Sequence, residues 1–295
     1  MRVPLLLVHG GVGAKAMSEE RHRAYVESLK RILEQAYPVL ARGGSAVTAV
    51  VRAVELLEND PLYNAGLGSK IQSDGKIRMS ASLMDGRRLR FSGCVNVEGL
   101  KNPIRLAKLL QSRDDRVLAE AGARQFAREA GLPFASPFTP RARADFKRRR
   151  QGRSGTVGAV ALDRKHRLAA ATSTGGRGFE YPHRVSDTPT VAANFATRLG
   201  AVSVSGVGEE IVEHAVAARI CAFLESGLSL KVATLRLFTQ ARRNRAQFGW
   251  IALDRNGQMQ AVTTTKTLIW AQATPAGITC FWFEGAAFRI LCRPG

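Results

Sequence analysis

The chain is poor in cysteine, in aromatic residues and in acidic residues, and it has no long apolar run. Its four cysteines, Cys94, Cys221, Cys280 and Cys292, show no CxxC spacing. That argues against a zinc site, and a chain of this length needs no disulfide frame. Reduced thiols in a cytoplasmic protein are the expectation. No apolar stretch approaches the roughly 18 residues of a membrane span. The opening residues, Met1 to His9, are apolar over too short a length for a secretory leader, and no small-residue cleavage site follows. Aromatics make up 7% of the chain and glycines number 28, which favours an α/β protein with many tight turns over a long helical bundle. With 24 acidic residues against 44 basic ones the net charge is +20. Such a charge attracts polyanions. The excess is spread along the chain, however, with one dense block at Arg141–Arg153. No nucleic-acid motif and no basic stripe interleaved with aromatics accompanies it, so an Arg-rich solvated surface is favoured and nucleic acid is not expected as a partner.

What is present is a core large enough for one sizeable domain, with 45% hydrophobic residues. Leu5–Val8 reads as a buried strand ending in a turn at His9–Gly13. Helical spacing of Tyr25, Leu29, Ile32, Leu33 and Ala36 predicts a helix over Ser18–Leu40, with Ser18 as N-cap. A second helix, Ala46–Glu58, follows Gly43-Gly44-Ser45 and stops at Asp60-Pro61. Ile71–Leu83 and Leu89–Val97 read as paired strands about Asp85-Gly86. Helices are predicted from Asn102-Pro103 to Leu110 and over Leu118–Ala130. Residues 133–155 carry three prolines and the basic block without apolar periodicity, and read as a mobile linker. Beyond it come strands at Thr156–Leu162, Arg167–Thr172 and Ala201–Ser205, and helices at Glu209–Ser226 and Ser229–Thr239. A hairpin of Phe248–Asp254 with Gln258–Thr264 completes the pattern. Strands in groups and helices in pairs imply antiparallel sheets covered by helices rather than βαβ units.

The junction Ser154-Gly155-Thr156-Val157-Gly158 places a threonine at the first position of a strand, directly after the linker. Cleavage before Thr156 gives that residue a free α-amine beside its hydroxyl. An α-amine titrates near 7.7–8.0, so it can take the hydroxyl proton near neutral pH, as histidine does in a serine triad. Gly155, without a Cβ, permits the backbone that brings Thr156 Oγ1 to its own carbonyl. Taken alone, an ordinary strand threonine is the better reading of this junction.

Other motifs change that balance. His9-Gly10-Gly11-Val12-Gly13, Gly43-Gly44-Ser45-Ala46, Asp60-Pro61-Leu62-Tyr63-Asn64-Ala65-Gly66-Leu67-Gly68, Met84-Asp85-Gly86, Gly155–Asp163 and Thr172-Ser173-Thr174-Gly175-Gly176 occur in one order. In that order they resemble the plant-type asparaginase/isoaspartyl peptidase family of N-terminal-nucleophile (Ntn) hydrolases over most of the chain. The resemblance implies a four-layer αββα sandwich of two sheets faced by helices. It implies self-cleavage into residues 1–155 and 156–295, the two fragments forming one domain, and pairing of two such αβ units. It implies a nucleophile at Thr156 with its hydroxyl oriented by Thr174. Arg184 would hold the substrate α-carboxylate and Asp187 its α-ammonium, in the Pro182–Pro189 stretch; a planar guanidinium fork suits a carboxylate. Ser205 and Gly206 would form the oxyanion hole. Asn64 would brace its loop, and backbone carbonyls of Leu57, Glu58, Asp60, Tyr63, Ala65 and Leu67 would wrap a structural sodium ion, for which hard oxygen donors are suitable; an ordinary Gly-rich loop is the alternative. No cofactor is implied for catalysis.

The implied reaction is hydrolysis of β-aspartyl (isoaspartyl) peptides or L-asparagine through an acyl-enzyme on Thr156. Departures from the family pattern are Ser205 in place of threonine, Val207, Ala192-Ala193-Asn194, Ser80 in place of aspartate, and the hairpin at 248–266. These leave open a relative acting on another aspartyl amide, such as glycosylated asparagine, or a non-catalytic relative that binds a polyanion.

Overall fold

The computed structural model describes residues 4–13, 18–148, 155–284 and 287–292. In chain order its elements are β1 (Leu5–Gly13), α1 (Glu19–Ala41), α2 (Ala46–Glu58), β2 (Arg78–Asp85), β3 (Arg90–Glu98), α3 (Pro103–Leu110), β4 (Val117–Ala119), α4 (Glu120–Glu129) and α5 (Pro140–Lys147). There follow β5 (Val157–Leu162), β6 (Leu168–Thr174), β7 (Asn194–Ala196), β8 (Gly200–Gly206), α6 (Gly208–His214), α7 (Val216–Glu225) and α8 (Leu230–Arg243). The chain ends in β9 (Phe248–Asp254), β10 (Met259–Thr263), β11 (Thr267–Thr274), β12 (Gly277–Glu284) and β13 (Ala287–Cys292).

Strand alternation explains how these elements stack. Along β1, Leu6 and Val8 join a core shared with α1 to α4, whereas Leu5 and Leu7 join a second core containing Ile251 and Leu253 of β9. A third core packs β8 and β9 against α7 and α8 through Val202, Val204, Ile220, Leu237 and Trp250. Both faces of each sheet are therefore covered, and the molecule is an α+β, four-layer αββα sandwich of the Ntn-hydrolase type. Among the described residues one sheet has nine strands in the order β13-β12-β11-β1-β5-β6-β2-β3-β4, and the other has four in the order β10-β9-β8-β7. The order β1-β5-β6-β2 inserts two strands from beyond Gly155 between two that precede it. The two halves of the chain thus share one sheet and one core.

Helix signals in the sequence are mostly realised. Ser18, Ser45 and Ser229 each cap a helix, accepting from the N–H three residues on. Other expectations need correction. The turn expected at His9–Gly13 is the end of β1, which continues through a bulge between His9 and Gly11. Ile71–Ile77 is a loop, because Gly75 at φ +84 closes a tight turn and Asp74 is tied to Arg78; the strand begins at Arg78. The helix expected from Leu118 starts at Glu120, after the short parallel strand β4. The helix expected over Glu209–Ser226 is two helices, broken at Ala215 with φ +44. The strands β7 and β11 to β13 were not anticipated.

The expected linker at 133–155 is also corrected. Thr139 caps α5 and Pro140 occupies its first turn. Ala142, with Phe138 and Phe146, packs on Ile71, Ile77 and Met79, and Arg141 donates to the Leu62 carbonyl at 3.1 Å. Residues 149–154, the rest of the basic block, lie outside the described residues. No helix among the described residues is long and apolar enough to cross a membrane.

Candidate active site

The register of β5 on β6 places the start of one strand against the end of the other. Val157 pairs with Ser173, so Thr156 lies beside Thr174, and the two hydroxyl oxygens are 3.3 Å apart. Both residues are buried. Thr174 Oγ1 also accepts from the Gly176 N–H at 3.2 Å. Gly155 has φ +146 and presses on Asn64: an added Cβ would lie 2.6 Å from Asn64 Cβ. Asn64 in turn ties down the turn after β6. Its carbonyl accepts from Gly175 N–H at 2.9 Å, its Nδ2 donates to the Gly176 carbonyl, and its Oδ1 accepts from Lys70 N–H at 2.9 Å.

Behind the threonines, the two sheets approach so closely that only glycine fits at 158. A Cβ there would meet Ser203 Oγ at 1.9 Å and His9 Nε2 at 2.6 Å. His9, Ser203 and Thr172 form a buried hydrogen-bonded row with 2.8 Å spacings. Burial pulls the His9 imidazole down to about 3, with the Thr156 backbone partly opposing that shift, so the ring is neutral at physiological pH.

A cavity of about 510 Å³ opens in front of Thr156 and Thr174. Arg184 and Asp187 reach it from the loop after β6, and Gly206 and Val207 from the end of β8. Gly208 allows the clamp pair to meet, because its Cβ would lie 2.6 Å from Arg184 Nη2 and 2.8 Å from Asp187 Oδ1. Arg184 is held by two acids. Nη1 donates to buried Glu180 at 3.1 Å, while Nε and Nη2 both donate to half-exposed Glu209 at 2.8 Å. Burial weakens the Arg184 charge, but its bonds to Glu209 and the nearby Glu180 and Asp187 more than restore it, leaving the pKa above the ordinary value. Burial raises Asp187 to about 7, against the pull of Arg184. Its Oδ2 has no hydrogen-bond partner among the described residues.

The structure therefore brings Thr156, Thr174, Gly155, Gly206, Arg184 and Asp187 around one cavity. Ser205 sits behind its wall, 1% exposed, with Oγ accepting from Val12 N–H at 3.4 Å. Ser80 is buried beside Thr174 in the sheet register and accepts from Asn96 N–H at 3.1 Å. Asn194 donates to Ser82 at 3.0 Å. The altered hairpin contributes through its entry, since Gln247 lines the cavity. Sequence reasoning missed Glu180 and Arg177. The available signal for Glu180 was its place four residues before Arg184, and for Arg177 a cation directly after Gly175-Gly176.

The loop from Leu57 to Leu67 is tightly wound. Carbonyls of Leu57, Asp60 and Ala65 accept from Asp60, Tyr63 and Gly68 N–H groups at 3.2–3.3 Å. A Cβ on Gly66 would meet the Glu58 carbonyl oxygen at 2.1 Å, and one on Gly68 would meet those of Tyr63 and Pro61 at 1.9 and 2.7 Å. The Glu58 side chain is buried and raised to about 8, chiefly by that burial. It accepts from Ser173 at 2.7 Å and Ile104 N–H at 3.0 Å.

Comparison with known proteins gives consistent matches. The family model described as Asparaginase matches residues 2–281. The chain is 42% identical to an isoaspartyl peptidase/L-asparaginase of Synechocystis, over 93% of this chain and 89% of that protein. It is 36% identical to an isoaspartyl peptidase/L-asparaginase of Rattus norvegicus, over 90% and 85% of the two chains. It is likewise 36% identical to a plant-type L-asparaginase of Pyrobaculum calidifontis, over 89% and 94%.

Proposed function

The chain belongs to the asparaginase family, and from that premise we propose that it is a self-processing hydrolase that attacks β-aspartyl amides with Thr156. The observation that carries this reading is the pair of hydroxyls of Thr156 and Thr174, 3.3 Å apart at the floor of the cavity that Arg184 and Asp187 enter. Cleavage between Gly155 and Thr156 frees an α-amine beside the hydroxyl, and that amine serves as the base. The fragments 1–155 and 156–295 stay together because their strands interleave in one sheet.

In hydrolysis, Thr156 Oγ1 attacks the side-chain carbonyl of the aspartyl unit and its proton passes to the α-amine. The resulting oxyanion is met by the Gly206 N–H, which lines the cavity; the Ser205 hydroxyl, behind the wall in this structure, has to turn toward the cavity to serve as the second donor. The tetrahedral intermediate expels ammonia or an amine, protonated by the α-ammonium, and leaves an ester on Thr156. Water, activated by the same amine, then releases aspartate. The substrate α-ammonium is bound by Asp187 and the α-carboxylate by Arg184. Glu209 occupies part of that guanidinium in a two-pronged pair, but the Glu209 end is half-exposed and can return to water. A substrate carboxylate then takes its place on the same fork, one carboxylate for another, while buried Glu180 keeps its hold.

We place a structural sodium ion in the loop around Gly66 and Gly68, held by carbonyls of Leu57, Glu58, Asp60, Tyr63, Ala65 and Leu67. The fit rests on the crowding of the Glu58 and Tyr63 carbonyls over those two glycines. The ion would stiffen the loop that carries Asn64 and supply no chemistry. Pairing of αβ units and a cytoplasmic location belong to the same proposal. The first rests on the family, the second on the free, buried thiols of Cys94 and Cys221.

The test is N-terminal sequencing of the purified protein after incubation. A fragment beginning at Thr156 is expected, and Thr156→Ala is expected to remain one inactive chain. A wild-type chain that stays intact while hydrolysing substrate would overturn the mechanism.

A further inference from the structure

The cavity holds a second guanidinium, from Arg177, that the reaction as described does not use. Arg177 follows Gly176, whose N–H bonds the same Thr174 hydroxyl that touches the nucleophile. Its backbone is thus fixed beside the reacting centre, and its own N–H donates to Glu180 at 3.1 Å. Its side chain runs to the carboxylate that also holds Arg184, with Nη1 3.9 Å from Glu209 Oε2. The two arginines differ in how well they are satisfied. Arg184 makes three hydrogen bonds to two carboxylates, all at 3.1 Å or less. Arg177 has the long pair to Glu209, and its buried Nε has no hydrogen-bond partner among the described residues.

A buried guanidinium N–H without an acceptor is unfavourable, and a carboxylate is the ligand that best matches its planar fork. In a β-aspartyl peptide the α-carboxylate of the aspartyl unit is assigned to Arg184. The remaining carboxylate is on the residue that leaves. L-asparagine, whose leaving group is ammonia, has no such group. Resting on the reading of the site given above, we propose that Arg177 is a specificity-determining residue. It binds the free carboxylate of the leaving amino acid and so directs the enzyme to β-aspartyl dipeptides. Because this carboxylate sits next to the scissile amide nitrogen, only a dipeptide places it within the cavity. Longer peptides carry it further out.

The experiment compares kcat/KM of matured wild type and Arg177→Met on a β-aspartyl dipeptide with a free C-terminus, on its C-terminal amide, and on L-asparagine. In wild type the free acid is expected to exceed the amide at least 10-fold, an effect of about 1.4 kcal/mol for one charge-assisted contact. In Arg177→Met that ratio is expected to fall to near one, and Arg177→Lys is expected to restore part of it. A wild-type ratio near one, or equal losses on free acid and amide in the variant, would overturn the assignment of Arg177 while leaving the aspartyl amidase reading intact. Failure of the wild type on all three substrates would overturn both.

Discussion

Replacing Gly155 by alanine probes the geometry of self-cleavage at a single atom. The new Cβ would lie 2.6 Å from Asn64 Cβ, 3.1 Å from Nδ2 and 3.3 Å from Cγ. Asn64 has no freedom to retreat, since its backbone and both side-chain polar atoms are bonded to Gly175, Gly176 and Lys70. The φ of +146 adds backbone strain for a residue with a side chain, of about 1–3 kcal/mol. Relief comes from moving the 155–156 peptide away from Asn64, and with it Thr156 from Thr174. If about 3 kcal/mol of this burden falls on the cleavage transition state, processing slows roughly 100-fold. The assay is the fraction of intact chain on a denaturing gel over time. Asn64→Gly removes the clashing Cβ, so in a double-mutant cycle the pair should couple favourably: Gly155→Ala should cost less on the Asn64→Gly background than on the wild type. Processing of Gly155→Ala at the wild-type rate, or strict additivity in the cycle, would refute the reasoning.

Asp187, raised to about 7 by burial, must be ionised to receive an α-ammonium. Apparent affinity is therefore expected to rise with pH through about 7 and to drop up to tenfold per unit below it. Asp187→Asn is expected to raise KM by 10- to 100-fold, the worth of roughly 1.5–3 kcal/mol for a hydrogen bond to a charged group, and to abolish that pH dependence; steady-state kinetics from pH 5 to 9 checks both. His9 has the opposite sign. Its folded pKa of about 3 lies below the ordinary imidazole value of 6.5, so between those values the unfolded chain binds more protons and acid destabilises the fold. Raised Asp187 and Glu58 act in the other direction over part of that range, so the readout is a difference. The stability of wild type relative to His9→Gln should decline as pH falls from 6.5 toward 4, by up to about 1.4 kcal/mol per unit. Parallel unfolding midpoints for the two proteins would show that His9 is not buried neutral. Phe146 and Ala142 anchor α5, so limited trypsinolysis is expected to stop beyond the helix in the wild type and to proceed into it in Phe146→Ser.

The helices were legible where a cap and an apolar face coincide, as at Ser45 and the Ala46–Glu58 stripe. The α5 helix was hidden because its composition is basic and proline-rich; only Thr139-Pro140 and the spacing of Phe138 and Phe146 announce it. Ala215, at φ +44, offers no sequence sign of the break between α6 and α7, because alanine is an ordinary helix residue and not one that favours the left-handed region. The site residues were readable from motif order, and the register of β5 and β6 shows why Thr156 and Thr174 must be 18 residues apart to meet. Glu180 and Arg177 escaped because their roles depend on the fold of the 175–187 loop, which returns Arg184 onto Glu180. Charge alone does not report such a return.

The measurement that bears most directly on the central claim is aspartate release from a β-aspartyl dipeptide and from its α-linked isomer by the matured enzyme. The β-linked compound leaves both the α-ammonium and the α-carboxylate free for Asp187 and Arg184. The α-linked one uses that carboxylate in the peptide bond and forgoes its contact with Arg184, which stays paired with Glu180 and Glu209; such a charge-assisted contact is worth about 1.5–3 kcal/mol. The expected result is a roughly 10- to 150-fold preference for the β-linked dipeptide, lost in Arg184→Ala while cleavage at Thr156 persists. Equal rates on the two isomers, or an Arg184→Ala enzyme that keeps the preference, would contradict the account.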